Sequence, residues 1–126
     1  MEINAPEVVA ELQAIYPLYE ASLVTNDVDA LVALFWDSPL ATPFGITESL
    51  HGFAEIASFR KGRSAANLAR TIQRLDIVAF GKNCTSINLE FTRGVEGQTV
   101  LGRQSQTWVR FAEGWRIVSA HVSLLP

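Results

Sequence analysis

Residues 71–124 decide the fold, and they read TIQRLDIVAFGKNCTSINLEFTRGVEGQTVLGRQSQTWVRFAEGWRIVSAHVSL. Apolar and polar residues alternate along this stretch with a period of two, which is typical of half-buried β-strands. Breaks that contain glycine separate the alternating runs and supply the turns. The stretch therefore predicts an antiparallel meander of four strands, at about 71–80, 83–92, 99–111 and 115–124.

The part of the chain before this meander has helical periodicity. Helices are expected over 6–23, 28–35 and 52–59, with 60–70 as a basic continuation of the third. Pro17 removes a backbone donor inside the first helix and predicts a kink or a local bulge. Residues 38–54 are interpreted as a short strand pair or a loop across the mouth of a cavity. Helices followed by a meander predict the α+β class, with the helices on one face of the sheet.

Length and composition are those of a folded protein with a single domain, residues 1–126. Of these residues 48% are hydrophobic and 18% are charged, which is typical of globular proteins. No apolar run approaches the ~18 residues that a membrane span needs. The N-terminus lacks the apolar core of a signal peptide, so a cytoplasmic location is expected. A net charge of −3 argues against nucleic acid as a partner.

Charge is distributed unevenly along the chain. No lysine or arginine precedes Arg60, whereas nine acidic residues do. The remainder of the chain carries all ten basic residues and four acidic ones. This division is explained either by solvated helix faces or by electrostatic complementarity between two copies of the chain. A cavity built from the first half alone would contain no cation.

The motifs of several catalytic and cofactor-binding classes are missing. The chain has no glycine-rich phosphate loop and no Gly-x-Ser-x-Gly nucleophile turn. His51 and His121 lack the spacing of a zinc site, and the single cysteine, Cys84, excludes a disulfide framework. We therefore expect no cofactor and no metal.

Polar residues of the last two strands form a candidate binding surface. If Glu113 and Gly114 make a two-residue turn, Gln106 lies opposite His121 and Trp108 opposite Ser119. A shared face would then consist of Gln104, Gln106, Trp108, Ser119, His121 and Ser123. This face is either the wall of a cavity or a polar surface in solvent or at a dimer contact, and a one-residue change of register would rearrange it.

Aromatic residues supply a second set of candidates. Seven of the twelve aromatic residues precede Arg60, which is enough to build an aromatic-walled pocket. Tyr19 and Glu20 are adjacent on the first helix and could act as an acid–base pair. The alternative is that the tyrosines belong to the core, because they lie on the apolar stripe of that helix.

Several segments resemble a known bacterial family. They are PEVVAE at 6–11, LVTNDV at 23–28, LFW at 34–36 and GRQSQTWVRFAEGWRIVSAHVS at 102–123. They are similar to small proteins related to the dicarboxyurea decarboxylating amidohydrolase of cyanuric-acid breakdown and to an oxalurate-catabolism protein. The resemblance covers nearly the whole chain. It implies the nuclear-transport-factor-two-like, or cystatin-like, superfamily, in which a long bent antiparallel sheet wraps helices around a pocket in a cone.

The resemblance also implies two pocket residues, of which this chain retains one. The family's tyrosine on the first helix matches Tyr19, whereas Pro43 occupies the place of the family's arginine. Because a buried carboxylate needs a cation or several donors, the loss favours an apolar ligand instead, such as a steroid or a secosteroid of the vitamin D type. Pro17 and Pro43 break local rules, which indicates either a natural change of function or an engineered pocket.

The binding hypothesis assigns two groups of residues to such a ligand, without catalysis. The apolar wall would consist of Tyr16, Tyr19, Trp36, Leu40, Pro43, Phe44, Phe53, Phe59 and Trp108. The polar contacts would come from Asn88, Gln106, His121 and Ser123.

Two enzymatic hypotheses stay open beside the binding hypothesis. The first is a family-like hydrolase of small urea carboxylates in which Tyr19 is the catalytic group. The second is a proton-transfer enzyme or dehydratase that uses His121 or Glu20 as its base. In each case we expect a homodimer through the outer face of the sheet, because of the charge division and the mixed polar and aromatic strand faces.

Overall fold

The computed structural model describes residues 1–64 and 68–126. The helices are α1 (Pro6–Val24), α2 (Val28–Val32) and α3 (Phe53–Gly62). The strands are β1 (Thr42–Phe44), β2 (Thr71–Phe80), β3 (Cys84–Val95), β4 (Gln98–Phe111) and β5 (Gly114–Leu124). None of the described helices is long and apolar enough to span a membrane.

The five strands form one sheet in the order β1-β5-β4-β3-β2. The four predicted strands are confirmed as an antiparallel meander, to within a few residues at their ends. Glu96 and Gly97 join β3 to β4, and both have positive φ, which is the requirement of a type I′ turn. The short strand β1 lies in the segment predicted to be a strand pair or loop, and it pairs in parallel with β5 at the edge of the sheet.

α1 continues through Pro17 as one helix, and the kink or bulge expected there stays a prediction. The other two helices end at residues that differ from the sequence expectation. α2 ends at Val32 rather than residue 35, because Phe35 leaves the helix to bridge Ile117 of β5. α3 ends at Gly62, so the predicted basic continuation is wrong for the described residues 63–64 and 68–70, and its residues 65–67 lie outside the described part of the chain.

The predicted register between β4 and β5 is wrong. Trp108 pairs with Ile117, whereas Thr107 pairs with Ser119, so Val118 is an extra residue in β5. This β-bulge exchanges the faces of all the residues that follow it in β5. The turn also lies at residues 112–113 rather than 113–114. This one-residue shift of the turn changes the strand register by two residues, which preserves side-chain parity, so the bulge alone separates His121 from the Gln106 face.

The helices cover one face of the sheet, which we call the inner face, and the opposite face is the outer face. α1 supplies Leu12 and Tyr16 to the core, and β3 and β4 supply Ile87 and Trp108, all at most 1% exposed. The α+β prediction is thereby confirmed. The core fills one part of the space under the helices, and a cavity occupies the remainder.

Candidate functional site

A cavity of about 340 Å³ lies between the inner face of the sheet and the helical half of the chain. α1 contributes Tyr19 and Leu23 to its wall, and α3 contributes Phe59 and Arg60. The loop after β1, residues 45–50, covers one side. Strands β3, β4 and β5 provide the floor. This volume is at the lower end of the range of small-molecule sites, so the cavity is compatible with a small-molecule ligand.

Four of the residues predicted to bind a ligand line this cavity. They are Tyr19, Pro43, Phe44 and Phe59. Phe44 is 37% exposed and lies at the rim, where its ring contacts those of His51 and His121 edge to face.

Three of the predicted polar contacts lie on the outer face instead. His121 pairs with Ser105, and Ser123 pairs with Arg103, because the bulge at Val118 turns both side chains away from the cavity. Asn88 lies on the same outer face, where it hydrogen-bonds with Ser86 and Ser105. The prediction that His121, Ser123 and Asn88 make polar contacts to a ligand in the cavity is therefore wrong.

The remaining predicted residues belong to the core or to the surface rather than to the cavity wall. Trp108 is fully buried, and its indole N–H donates to Gln106 Oε1 at 2.9 Å. Tyr16 is 1% exposed and donates to Glu20. Trp36 stacks on Phe111 with ring centroids 5.3 Å apart. Phe53 packs against the core, and Leu40 is 70% exposed.

Four arginines line the cavity, and none of them was predicted to do so. They are Arg60, Arg63, Arg70 and Arg93. The expectation of a pocket without cations assumed that the first half of the chain builds it. In the structure both halves contribute, and every cation comes from the second. Glu48 is the only acidic residue among the described lining residues.

Arg70 is the most tightly held of these cations. Its Nε and Nη2 donate to the two carboxylate oxygens of Glu20, both at 2.8 Å, and its Nη1 donates to Gln104 Oε1 at 3.0 Å. Its guanidinium also lies 4.5 Å from the centre of the Phe91 ring. Hydrogen bonds to the Glu20 carboxylate raise the pKa of Arg70 against the opposing effect of burial. The charge of Arg70 is thus largely balanced within the protein.

Arg60 and Arg93 are cations without such compensation. Burial lowers the pKa of Arg60, although arginine stays protonated in proteins. The Nε atoms of both arginines are buried, and neither has a hydrogen-bond partner among the described residues. A buried N–H without a partner is costly, and an anionic acceptor in the cavity would remove that cost.

Tyr19 presents a neutral phenol to the same cavity. Its ring is wedged against those of Tyr16, Phe35 and Trp108, with centroids 5.6 to 6.5 Å away. Burial raises the pKa of Tyr19, and the nearby arginines only partly oppose this. Its hydroxyl makes no hydrogen bond to the described side chains or backbone. The group is therefore a hydrogen-bond donor rather than a phenolate nucleophile at neutral pH.

The sequence pattern indicates the orientation of one of these four arginines. Arg93 follows Leu89 and Phe91 in the alternation of β3, which places it on the inner face. Arg60 and Arg63 belong to a helix end that carried no apolar periodicity. Arg70 lies in an irregular segment before β2. Neither the helical period nor the period of two of a β-strand therefore predicts where its side chain points.

The fold and the cavity together define a class of protein: small α+β domains of the cystatin-like, or NTF2-like, type, in which helices and a curved sheet enclose a site. A structure described as a cystatin-like fold protein from Burkholderia xenovorans is 41% identical to this chain, with a TM-score of 0.91, and the match covers 100% of this chain and 99% of that one. The predicted superfamily and fold are confirmed.

Within this class the chain belongs to the AtzH-like family, whose model matches residues 1–126. A protein of unknown function of the DUF3225 family from Pectobacterium atrosepticum is 42% identical, with a TM-score of 0.93, over 98% of this chain and 95% of that one. An NTF2-like superfamily protein from Salmonella enterica is 28% identical, with a TM-score of 0.74, over 94% and 91%. No curated protein matches significantly.

Proposed function

We propose that the cavity binds a small organic carboxylate. The observation that carries this proposal is the presence of four arginines in the wall of one cavity. Glu48 and the Glu20 partner of Arg70 balance two of them, so two positive charges remain in excess among the described residues. A guanidinium binds a carboxylate through two parallel hydrogen bonds, and such pairs are strongest where water is excluded.

The rest of the wall favours a ligand with an apolar body. Phe35, Phe59 and Phe91 contribute aromatic surface, and Leu23 and Val122 contribute aliphatic surface. A neutral steroid or secosteroid would use this surface but would leave the buried guanidinium groups unpaired and desolvated. The hypothesis of such a ligand depended on a cavity without cations, and the lining arginines favour an anion instead.

Hydrolysis of a carboxylated urea is the reaction that we propose for this site. Membership of the AtzH-like family and the free hydroxyl of Tyr19 support this narrower proposal. In this reaction the oxygen of water bonds to the carbonyl carbon, the carbon–nitrogen bond breaks, and a proton from water passes to the leaving nitrogen. Tyr19 would donate a hydrogen bond to the carbonyl oxygen as negative charge develops on it.

A thermal-shift experiment with matched probes tests carboxylate binding. Benzoate, benzamide and cholesterol are each added to the wild type and to the double variant Arg60→Gln/Arg93→Gln. We expect benzoate alone to raise the melting temperature of the wild type, because ligands stabilise the state that they bind. The double variant should lose this response. Arg74→Gln, which removes an exposed cation at the opposite edge of the sheet, is the control and should retain it.

The opposite pattern would overturn the proposal. If cholesterol raises the melting temperature and benzoate does not, the cavity is an apolar binding site. The hydrolytic proposal is tested by ammonia release from N-carbamoylglycine and oxalurate. Tyr19→Phe should abolish most of the release while benzoate still stabilises the protein, and equal rates for the two proteins would exclude Tyr19 from the reaction.

A further inference from the structure

Gln104 is the only amide side chain among the described residues that line the cavity. It lies on the inner face of β4 and is 2% exposed. Its Oε1 accepts a hydrogen bond from Arg70 Nη1 at 3.0 Å. Its Nε2 is buried and has no partner among the described residues. A buried N–H₂ group that lacks an acceptor carries a free-energy penalty, which a ligand acceptor would remove.

The orientation of this amide is fixed by its neighbours. A glutamine amide can in general rotate by half a turn and exchange its oxygen and nitrogen. Here that rotation would place an N–H₂ group against the N–H of Arg70, donor against donor. Arg70 cannot move away to accommodate it, because two hydrogen bonds to Glu20 hold its guanidinium and the Phe91 ring supports it from one side. Glu20 and Arg70 are therefore positioning residues for Gln104.

We propose that Gln104 is the specificity-determining residue of the cavity, a donor of fixed direction that requires a hydrogen-bond acceptor on the ligand. The inference rests on the proposed binding of organic carboxylates and adds the selection rule of that site. A ligand oxygen facing Gln104 Nε2 gains a hydrogen bond. A ligand N–H at the same place meets a second donor and is rejected, because neither group can find a partner there.

Substitutions at position 104 test this rule with benzoate and benzamide as probes, measured by calorimetric titration. Gln104→Met keeps the length of the side chain and removes the donor, and we expect benzoate to bind about tenfold or more weakly. Gln104→Glu accepts from Arg70 as before but presents an acceptor to the cavity. We expect this variant to lose benzoate and to gain affinity for benzamide, a reversal that a purely structural role would not produce.

Gln106→Met is the matched control. Gln106 lies on the same strand, is also 2% exposed and has a similarly unpartnered Nε2, but it does not line the cavity. Its substitution should leave the affinity for both probes unchanged. If the variants at position 104 do not fold, the side-chain amide signals of the wild type serve instead: on addition of benzoate the NMR signals of Gln104 should shift and those of Gln106 should not.

The outcomes separate this inference from the proposed function. Benzoate affinity that is unchanged in both variants at position 104 but lost in Arg60→Gln/Arg93→Gln would overturn the role of Gln104 alone. A wild type that binds no benzoate would overturn carboxylate binding and the selection rule together. A Gln104→Glu variant that loses benzoate without gaining benzamide would show that the added charge, not the direction of the donor, controls binding.

Discussion

Glu20 and Arg70 form the one ion pair, among the described residues, in which both side chains are mostly buried, at 17% and 6% exposure. Two hydrogen bonds join them, and Arg70 also donates to Gln104 and Tyr16. Removing one member of such a pair leaves the other charge buried without its partner. The exposed pair of Arg74 and Asp76 has the same 2.8 Å separation but lies in solvent, so it offers a direct comparison.

Glu20→Gln should therefore lower the free energy of unfolding by about 3 kcal/mol. Asp76→Asn, which breaks the exposed pair, should lower it by less than about 1 kcal/mol. Urea unfolding of the two variants beside the wild type measures both effects. Equal losses for the two substitutions would show that burial does not strengthen the Glu20 pair.

Tyr16 and Tyr19 give the protein a predictable response to alkaline pH. Burial raises the pKa of both phenols above the usual value of 10.0. Above that pH an unfolded tyrosine loses its proton while the folded one keeps it, so the unfolded state binds fewer protons. The contribution of the two phenols to the free energy of unfolding is therefore fully present below pH 10. It is lost as the pH rises further, by up to about 1.4 kcal/mol per pH unit for each tyrosine.

Urea unfolding at about pH 9 and about pH 11 should show this loss in the wild type. The double variant Tyr16→Phe/Tyr19→Phe removes both phenols, so its stability should fall much less over the same interval. The absorbance of tyrosinate in the wild type should rise only on unfolding. A gradual rise in the folded protein would mean that the phenols are accessible to solvent and titrate normally.

At the scale of elements, the Phe91 side chain of β3 lies over Gly102 of β4, with which Phe91 pairs in the sheet. A Cβ atom at this position would overlap the Phe91 ring, on which the Arg70 guanidinium rests. Gly102→Ala should therefore displace Phe91 and Arg70 together, lower the stability by about 1–3 kcal/mol and weaken benzoate binding. Urea unfolding and calorimetric titration measure the two effects.

Gly94→Ala is the control for this substitution. Gly94 lies in β3, has no positive φ and has open space where a Cβ would be. Its replacement should leave both the stability and the binding close to those of the wild type. Comparable losses at both glycines would show that strand flexibility, rather than contact with Phe91, is the reason for glycine at position 102.

The elements also show which parts of the structure the sequence could predict. The four long strands were predictable because alternation of apolar and polar residues continues through each. The same alternation places Arg93 on the inner face of the sheet. The bulge at Val118 was not, because no glycine or proline marks it and a single extra residue leaves hydrophobicity almost unchanged. The positions of His121 and Ser123 depended on that residue. Arg70 was unpredictable for another reason, since its place is set by Glu20, fifty positions away.

At the scale of the whole molecule, some acidic residues of the first half of the chain form ion pairs with basic residues of the second half. Two of the three described ion pairs join a carboxylate of the first half to an arginine of the second, namely Glu20 with Arg70 and Glu11 with Arg110. These pairs attach the helical half to the sheet. Ion pairs within one chain therefore explain part of the charge division without a second copy of the chain. The outer face is not covered by the helices.

A homodimer through that outer face stays a prediction. Asn88, Ser105 and His121 lie on the face, and their polar side chains would meet symmetry-related copies. Sedimentation at micromolar concentration should give about twice the chain mass of 13.8 kDa. Ser105→Arg places a bulky charge on this face and should produce monomers without a change in far-ultraviolet circular dichroism. A wild type that sediments as a monomer would contradict the prediction.

The parallel pairing of β1 with β5 has a consequence for the order in which the protein is made. Residues 42–44 emerge from the ribosome early, whereas their hydrogen-bond partners, residues 119–121, are synthesised after the three other long strands. The rim of the cavity therefore cannot close during most of translation, and contacts so distant in sequence form slowly. Early in this interval, before Arg60 is synthesised, residues 1–59 contribute nine acidic groups and no basic one, so that these segments on one polysome repel one another while their apolar helix faces are still uncovered.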